Sequence, residues 1–376
     1  MQASADILEL GALLLAAAAA GWFARRLTLP AVLGFLLVGV LVSPFTPGYV
    51  ADREHLELLA ELGVVLLLFE VGIEINLGQV RREQRRLLVA VPVQMVVSTA
   101  IATGMLVAAG VAPASAAVLG LAVALSSSVV IVNIVRSRKR RTDRATESAM
   151  LTWSVLQDVC GVLFAAILLS FAEVSDRPPL LALAGLAGFL VLATGTAWLL
   201  PRVLRRLGSQ PDLFLVVSIG VGLTLAGLGA AVFDVPAALA AFIAGLVVSE
   251  SPESVSVRRK LIPFRDVFAI LFFVSVGTLI NPAAVLAGWR WVVLLLVAVL
   301  VGKVAVLALA ASWAQVSRPR QLAVGMGQIG ELSFVLASLL MAAGLLADDL
   351  YSALLASVVL TIAASTIAVR LHWQRS

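Results

Sequence analysis

The chain carries three ionisable residues far inside long apolar stretches, and these are its first candidates for chemistry. They are Asp158 in the stretch WSVLQDVCGVLF, Lys303 and Glu331. The charged residue nearest to Asp158 along the chain is Glu147, eleven residues before it. Eleven residues of helix span about 16 Å, so Asp158 is isolated from other charges along its own helix. A carboxylate in apolar surroundings suits the binding of a proton or a small cation. Neither a catalytic motif nor a nucleophile–base pairing accompanies it, which argues against an enzyme.

The composition indicates that these residues belong to a membrane protein. The 376-residue chain is 61% hydrophobic and only 13% charged, with a mean hydropathy of +1.06. A soluble domain carries about 25% charged residues. The sequence pI of about 10.1 does not indicate a nucleic-acid partner, because the basic residues form short clusters between apolar stretches. We therefore expect an all-α integral membrane protein that is surrounded by lipids and binds no nucleic acid.

A helix needs about 20 apolar residues to cross the bilayer. Charge clusters, prolines and glycines divide the chain into thirteen predicted spans. The spans cover residues 6–24, 29–44, 57–77, 86–110, 113–136, 147–172, 180–201, 212–231, 235–250, 263–281, 287–314, 319–346 and 349–370. The sequence therefore predicts thirteen transmembrane helices, of which the second and the ninth are short.

The basic residues predict the orientation, because cytoplasmic loops are enriched in Lys and Arg. All but four of the 27 Lys and Arg residues follow an odd-numbered span or lie in the C-terminal tail. The four exceptions are Arg53, Arg177, Arg290 and Lys303. We therefore expect a multi-pass protein of the cell (inner) membrane, with the N-terminus outside and the C-terminus in the cytoplasm.

Two spans begin alike and then lose their helix-forming character near mid-membrane. Span 5 contains LAVALSSS (121–128), and span 12 contains LAVGMGQIGE (322–331). Span 5 runs inward and span 12 outward, so the two are inverted copies, and paired interruptions of this kind point to a transport site. We predict a discontinuous helix in each span; the alternative is that Ser and Gly only allow close helix packing. The residues at the interruptions are Ser126, Ser127, Ser128, Gln328, Gly330 and Glu331.

The charges inside the spans need a reason, because each costs about 2.5–3.5 kcal/mol to insert. Asp158 and Lys303 serve either ion transport or a structural ion pair, and Glu331 either joins the site or hydrogen-bonds free N–H groups at the interruption. Gln157 points about 100° away from Asp158 on a helix, where it supplies a carbonyl ligand or caps an interrupted helix. Weaker candidates, for the site or for a subunit contact, are Glu61, Glu70 and Glu74 in span 3.

In order along nearly the whole chain, seven segments resemble the Kef-type members of the monovalent cation:proton antiporter-2 family. The segments are AELGVVLLLFEVGIEI (60–75), LAVALSSSVVI (121–131), WSVLQD (153–158), AAFIAGLVVSES (240–251), FRDVFAILFFVSVGTLIN (264–281), VGKVAVLA (301–308) and GQIGELSFVLA (327–337). No single segment is decisive, but the ordered set is highly specific.

The resemblance implies a sodium/proton antiporter fold of thirteen transmembrane helices, with inverted-topology repeats and two crossed discontinuous helices, in a homodimer. It implies that Asp158 binds the cation or the proton, that Gln157 is its polar neighbour and that Lys303 pairs with it. Ser126 to Ser128 and Gln328 to Glu331 would mark the two helix breaks, and Ser126 to Ser128 would also belong to the ion- or proton-binding site.

On this interpretation residues 1–376 form a single transmembrane transport domain. The scaffold and dimer contact cover about 1–80 and 212–282, the transport core covers about 86–172 and 287–371, and 180–201 is a linking helix. Kef-type chains typically continue into a cytoplasmic nucleotide-binding domain, whereas this sequence stops at Ser376. We therefore expect no soluble regulatory domain within these residues and leave open a regulatory domain or subunit outside them. A second departure is Ile329-Gly330, where the family more often has Gly and Ser.

The expected function is secondary active exchange of K⁺ or Na⁺ for protons by alternating access, an activity used in pH homeostasis. A mid-membrane carboxylate that is reachable from one side at a time holds either a proton or a monovalent cation, so competition for Asp158 couples the two fluxes. Both ions are cargo, and no cofactor is expected. Two alternatives are a cation channel or efflux pathway of Kef type and a non-transporting sensor on the same fold. The core Lys303 and the lack of a TVGYG-like filter sequence weigh against a channel.

Overall fold

The computed structural model describes most of the chain. The described residues are 2–27, 29–47, 53–74, 85–136, 143–171, 179–206, 211–249, 251, 254–330 and 332–372. All regular elements within these ranges are helices. The fold of the described residues is therefore all-α, as the composition predicts.

The helices of the first half are α1 (Gln2–Arg26), α2 (Ala31–Leu41), α3 (Arg53–Glu74), α4 (Arg85–Ala108), α5 (Pro113–Ala124), α6 (Ser128–Arg136), α7 (Arg144–Phe171) and α8 (Pro179–Arg206). Those of the second half are α9 (Pro211–Phe233), α10 (Ala237–Ser249), α11 (Ser254–Thr278), α12 (Pro282–Ala287), α13 (Trp289–Val297), α14 (Val306–Trp313), α15 (Pro319–Gly325), α16 (Leu332–Ala342) and α17 (Asp348–His372). A π-helical segment, Ala298–Ala305, joins α13 to α14.

Eight of the described helical stretches are long and apolar enough to cross a membrane, which makes this a multi-pass membrane protein. Four further apolar helices are shorter, namely α2, α5, α10 and α16. Two of these, α2 and α10, fall in the predicted short spans, and α5 and α16 fall in the spans with predicted interruptions. The total of thirteen spans stays a prediction.

The chain divides into two compact units, which we call the first and the second unit. The first unit consists of residues 1–20, 35–81 and 175–278, and the second of 21–34, 82–174 and 279–376. Helix α3 packs against α10 and α11 within the first unit. Within the second unit, α4 packs against α5, α7 and the π-helical segment, and α5 packs against α16.

Two contacts between glycines hold helices of the first unit at unusually short separation. A Cβ atom on Gly39 would lie 2.1 Å from the carbonyl oxygen of Val274 and 2.6 Å from Cα of Gly277. A Cβ atom on Gly72 would lie 2.3 Å from the carbonyl oxygen of Phe242 and 2.8 Å from Cα of Gly245. Only glycine fits at these crossings, and small residues commonly let membrane helices approach closely.

The two glycine contacts belong to a sequence repeat. The stretch VGVLVS around Gly39 is matched by AGLVVS around Gly245, and LLFEVGIEIN around Gly72 is matched by FFVSVGTLIN around Gly277. The contact of Gly39 with Gly277 therefore recurs as the contact of Gly245 with Gly72. The same type of helix crossing thus occurs twice in the first unit. The second unit likewise contains two similar segments, which both begin with Leu-Ala-Val.

Candidate ion-binding site

The first interruption separates α5 from α6. Helix α5 ends at Ala124, Leu125 is extended (φ −80°, ψ 141°), and α6 begins at Ser128. Serine side chains compete with the backbone for hydrogen bonds and so favour helix ends over helix interiors. Ser127 does this here, because its Oγ accepts a hydrogen bond from the N–H of Val130 at 3.3 Å.

The second interruption separates α15 from α16. Helix α15 ends at Gly325 and α16 begins at Leu332, while Glu331 lies outside the described residues. Gly330 is needed for close approach, because a Cβ atom there would lie 2.7 Å from the backbone carbon of Ser126. The hydroxyl of Ser333 donates to the carbonyl of Gly330 at 2.5 Å and so helps to satisfy the start of α16.

The two interruptions are hydrogen-bonded to each other. The N–H of Gly330 donates to the carbonyl of Leu125 at 3.0 Å, and the hydroxyl of Ser126 donates to the carbonyl of Met326 at 2.8 Å. The Gln328 side chain is fully buried, and its amide pairs with the backbone N–H and carbonyl of Ser127 as a neighbouring β-strand would. Its Oε1 accepts from the Ser127 N–H at 2.9 Å, and its Nε2 donates to the Ser127 carbonyl at 3.3 Å. Backbone groups freed by the helix breaks are thereby satisfied, as irregular backbone at membrane depth requires.

Lys303 places a basic side chain between the two helix interruptions. Its side chain is fully buried, and its Nζ donates to the carbonyls of Leu125 and Gln328, each at 2.6 Å. Leu125 is the C-cap of α5, and the C-terminal end of a helix dipole favours a positive charge. Lys303 itself lies in the π-helical segment, a geometry that is frequent at functional sites.

Asp158 lies in the middle of α7, next to the start of α6. The hydroxyl of Ser128 donates to its Oδ2 at 2.5 Å, and the hydroxyl of Ser154 donates to that of Ser128 at 3.0 Å. Ser128 is the first residue of α6, and the N-terminal end of a helix dipole favours a negative charge. The carboxylate is half-buried rather than sealed off. The pairing of Asp158 with Lys303 stays a prediction, since the hydrogen bonds described for Nζ run to carbonyls.

Gln157 contacts α4, and it lies about 100° around the helix from Asp158, as the sequence predicts. Its Nε2 donates to Oε1 of Gln94 on α4 at 2.7 Å, and the indole N–H of Trp153 donates to the same oxygen at 3.2 Å. Sequence reasoning missed Gln94. The available signal was an amide inside an apolar span, at a position that a membrane helix normally fills with a hydrocarbon side chain.

The weaker candidates of span 3 belong to the first unit and form a different kind of cluster. Glu70 is fully buried and binds two guanidinium groups, that of Arg258 at 2.7 Å and that of Arg265 at 2.8 Å. Arg258 also contacts Glu74 at 2.7 Å, whereas Glu61 is exposed. Helices α3 and α11 are thus joined by a charge cluster.

Asp143 caps the helix that carries Asp158. Its Oδ1 accepts from the Thr146 N–H and its Oδ2 from the Thr146 hydroxyl, both at 2.9 Å, while Arg318, just before α15, lies 3.3 Å from Oδ2. Partial burial alone would raise the pKa of Asp143. The hydrogen bonds from Thr146 and the charge of Arg318 outweigh it, so the pKa lies below the ordinary value. This contact ties the beginnings of α7 and α15 together.

Comparisons with known proteins agree with this architecture. The family described as the transmembrane sodium/hydrogen exchanger matches residues 13–373. The putative cation/proton antiporter YbaL of Escherichia coli (strain K12) is 31% identical over 365 residues, which cover 91% of this chain and 64% of YbaL. The chain therefore spans less than two thirds of the length of that relative.

A solved structure shows the same fold. The sodium proton antiporter MjNhaP1 from Methanocaldococcus jannaschii superposes with a TM-score of 0.78 at 14% identity, covering 100% of this chain and 99% of that chain. The fold is that of the sodium/proton antiporters, and the antiporter family expected from the sequence is confirmed. With the family match extending over nearly its whole length, the chain belongs to the sodium/hydrogen exchanger family.

Proposed function

We propose that the chain is a secondary active antiporter that exchanges K⁺ or Na⁺ for protons, with the two ions competing for Asp158. The observation that carries the proposal is the setting of this carboxylate. It is half-buried at the N-terminal end of α6, and the serine hydroxyl that orients it is neutral. Such a group binds a proton or a monovalent cation in turn, and the competition couples the two fluxes.

The two interruptions would supply the rest of the site. We propose that α5–α6 and α15–α16 are the two crossed discontinuous helices of a thirteen-helix fold. Their carbonyls and hydroxyls, from Ser126 to Ser128 and from Gln328 to Gly330, would replace water around a dehydrated ion. The mutual hydrogen bonds of these segments support the proposal, because they keep the carbonyls in a fixed arrangement.

Alternating access would use the two units in different ways. The second unit, which contains Asp158 and Lys303, would be the mobile transport core. The first unit would be the scaffold and would contact a second copy in a homodimer. Its tight glycine crossings and its Glu70 cluster support a rigid role.

The preferred ion is proposed to be K⁺ rather than Na⁺. Gln157 adds no charge to the site, so a single carboxylate provides the negative charge, and such a low charge density suits the larger ion that loses water more cheaply. Exchange with K⁺, Na⁺, Rb⁺ and Li⁺ in proteoliposomes tests this order. Equal or faster exchange with Na⁺ would contradict it.

The exchange activity is tested by adding a cation to proteoliposomes or everted vesicles that hold a pH gradient. We expect the gradient to collapse, and we expect the apparent KM for the cation to rise as pH falls, since protons occupy Asp158. A cation KM that stays flat with pH would remove the competition. Current that flows without any need for a proton gradient would indicate a channel instead.

The proposed orientation in the inner membrane, with the N-terminus outside, is tested by labelling single cysteines in a Cys160→Ser background. Lys139→Cys should react only with reagent added from the cytoplasmic side, and Arg177→Cys only with reagent added from outside. The reverse pattern would overturn the orientation.

A further inference from the structure

A buried amide network joins α4 to α7 and includes Gln157, the residue that precedes Asp158 in the chain. Gln94 is its centre and is fully buried. Its Oε1 accepts from Nε2 of Gln157 at 2.7 Å and from the indole N–H of Trp153 at 3.2 Å, while its Nε2 donates to the hydroxyl of Ser98 at 3.0 Å. Neither the sequence motifs nor the proposed transport cycle assigns Gln94 a role.

The network fixes which way both amides point. An indole N–H is only a donor, so the group of Gln94 that faces Trp153 must be its carbonyl oxygen. The same oxygen faces Gln157, which must therefore present its NH₂ group. Turning either amide over would set donor against donor or acceptor against acceptor.

The consequence lies at the other end of Gln157. Its Oε1 is buried, and among the described residues it has no hydrogen-bond partner. Buried acceptors are rarely left in that condition. Here the partner-less group is a carbonyl oxygen on the residue that precedes Asp158 in the chain, and the carbonyl is the end of an amide that binds cations.

We propose that Gln94 is a positioning residue that holds the carbonyl oxygen of Gln157 available for the transported cation. The inference rests on the proposed function, since it assigns the support for a ligand at the same site. With Gln94 in place, Gln157 offers an oxygen to the cation. Without it, the amide of Gln157 turns freely, and its NH₂ group repels a cation for part of the time.

The test compares Gln94→Met with wild type in two measurements on the full chain. One is the rise in thermal stability of the detergent-solubilised protein with increasing K⁺ or Na⁺, since a ligand bound to the folded state stabilises it. The other is the cation KM of exchange in proteoliposomes. We expect the half-saturating cation concentration to rise about 10-fold, as is usual when the support of a metal ligand is removed. The maximal exchange rate should change less than KM.

A double-mutant cycle separates positioning from general damage. Gln157→Met removes the carbonyl itself, and the variant that combines it with Gln94→Met should bind cations no more weakly than Gln157→Met alone. Multiplying effects would show that Gln94 does not act through Gln157 and would overturn the proposal.

Ser98→Ala is the matched control. It removes a hydrogen bond of the same network but leaves the oxygen of Gln94 facing Gln157, so the cation affinity should stay near the wild-type value. An equal loss of affinity in Ser98→Ala and Gln94→Met would mean a merely structural role. Trp153→Phe provides a second test if Gln94→Met does not fold: it removes the donor that orients Gln94 and should weaken cation binding several-fold. Unchanged affinity in that variant would contradict the proposal.

Failure of this inference is distinguishable from failure of the proposed function. Wild-type protein that is stabilised by the cation but exchanges no protons would refute antiport, while a loss of that stabilisation in Gln94→Met would still support the positioning role. Exchange and cation affinity that both persist in Gln94→Met would refute the positioning role alone.

Discussion

Each of the two units has a carboxylate within a long helix, and the surroundings of the two carboxylates differ. In the first unit, Glu70 is fully buried and binds the guanidinium groups of Arg258 and Arg265. In the second unit, Asp158 is half-buried and accepts a hydrogen bond from the hydroxyl of Ser128. The guanidinium groups cancel the charge of Glu70 permanently. The hydrogen bond described for Asp158 comes instead from a neutral hydroxyl.

On the proposed function, the Glu70 cluster is a structural ion-pair cluster and Asp158 belongs to an ion-binding site. A transported ion must be able to leave, so any cation of the protein that pairs with Asp158 must also be able to release it. The sequence repeat of the first unit aligns Glu70 with Ser275. Only one of the two copies therefore has a carboxylate at this position, and that carboxylate binds the arginines of α11.

The largest expected effect separates the two carboxylates by activity. Asp158→Asn should abolish exchange in proteoliposomes while the protein remains folded and inserted, because the charge for which both ions compete is gone. Glu70→Gln, the equivalent change in the first unit, should retain exchange in the folded fraction. Full activity of Asp158→Asn would end the proposed mechanism.

The next largest effect concerns the contribution of Glu70 to the stability of the protein. Glu70→Gln should destabilise the protein by about 3 kcal/mol, because Arg258 and Arg265 lose their buried partner and keep only the more exposed Glu74 and Asp266. The partial exposure of both arginines keeps the loss at the lower end of the range for broken buried pairs. Thermal unfolding in detergent measures it. Glu61→Gln, a change to an exposed glutamate of the same helix, is the control and should be near neutral. If both variants unfolded at the same temperature, the Glu70 cluster would not stabilise the fold.

The next prediction concerns Lys303 and the net charge that crosses the membrane in each transport cycle. The hydrogen bonds described for Lys303 run to carbonyls, and in the proposed cycle the proton of Lys303 can be exchanged. A cation-loaded core with ionised Asp158 and neutral Lys303 is uncharged. The returning core is also uncharged when it carries one proton on either residue, and Gln157 cannot carry another. We therefore expect electroneutral, one-for-one exchange.

Recordings on a solid-supported membrane with proteoliposomes measure this charge. Wild-type protein should give no sustained current. A two-proton cycle would move one net charge and respond to voltage by about 2.3 kcal/mol per 100 mV. Sustained currents that follow the cation gradient and vanish in Lys303→Gln would demonstrate that cycle and contradict the expectation.

The smallest effect concerns Asp143, a surface carboxylate that belongs neither to the Glu70 cluster nor to the proposed ion site. Asp143→Ala should cost about 1 kcal/mol, because α7 loses its N-cap. Since the pKa of Asp143 is lowered in the folded state, its contribution is complete above the unfolded pKa of about 4 and disappears as pH falls through the folded value.

Thermal unfolding of wild type and Asp143→Ala across a pH series checks this sign. The difference between them should be constant from pH 8 to 6 and shrink only in acid. A difference that grew as the pH fell would show that the cap works through the protonated carboxyl.

Much of the architecture follows from composition and local pattern. Apolar stretches of membrane-spanning length predict helices, and the family resemblance came from short segments in order. Helix α5 ends at Ala124, two residues before Ser126, and α15 ends at Gly325, because runs of serine and glycine weaken a helix. These effects depend only on neighbouring residues, so a single sequence is enough to predict them.

The contacts between distant helices could not be predicted in the same way. Gln94 precedes Gln157 by 63 residues, and Glu70 precedes Arg258 by 188. Gln94, Gln157 and Glu70 look like isolated exceptions in their own spans, and Arg258 looks like one more member of a basic cluster between two spans. Only the packing of α4 on α7, or of α3 on α11, reveals that each is the partner the other needs.

The π-helical segment around Lys303 has a consequence for how this lineage changes in length. A π turn holds more residues than an α turn, so Ala298–Ala305 behaves like a stored insertion in an otherwise regular helix. Deleting one residue there would convert the segment to regular α-helix and leave the α-helices on its two sides in their present register. The side chains inside the segment would shift instead, and Lys303 would lose its place beside the carbonyls of Leu125 and Gln328. Relatives that build this helix without a π segment should accordingly be one residue shorter between the positions of Trp289 and Trp313.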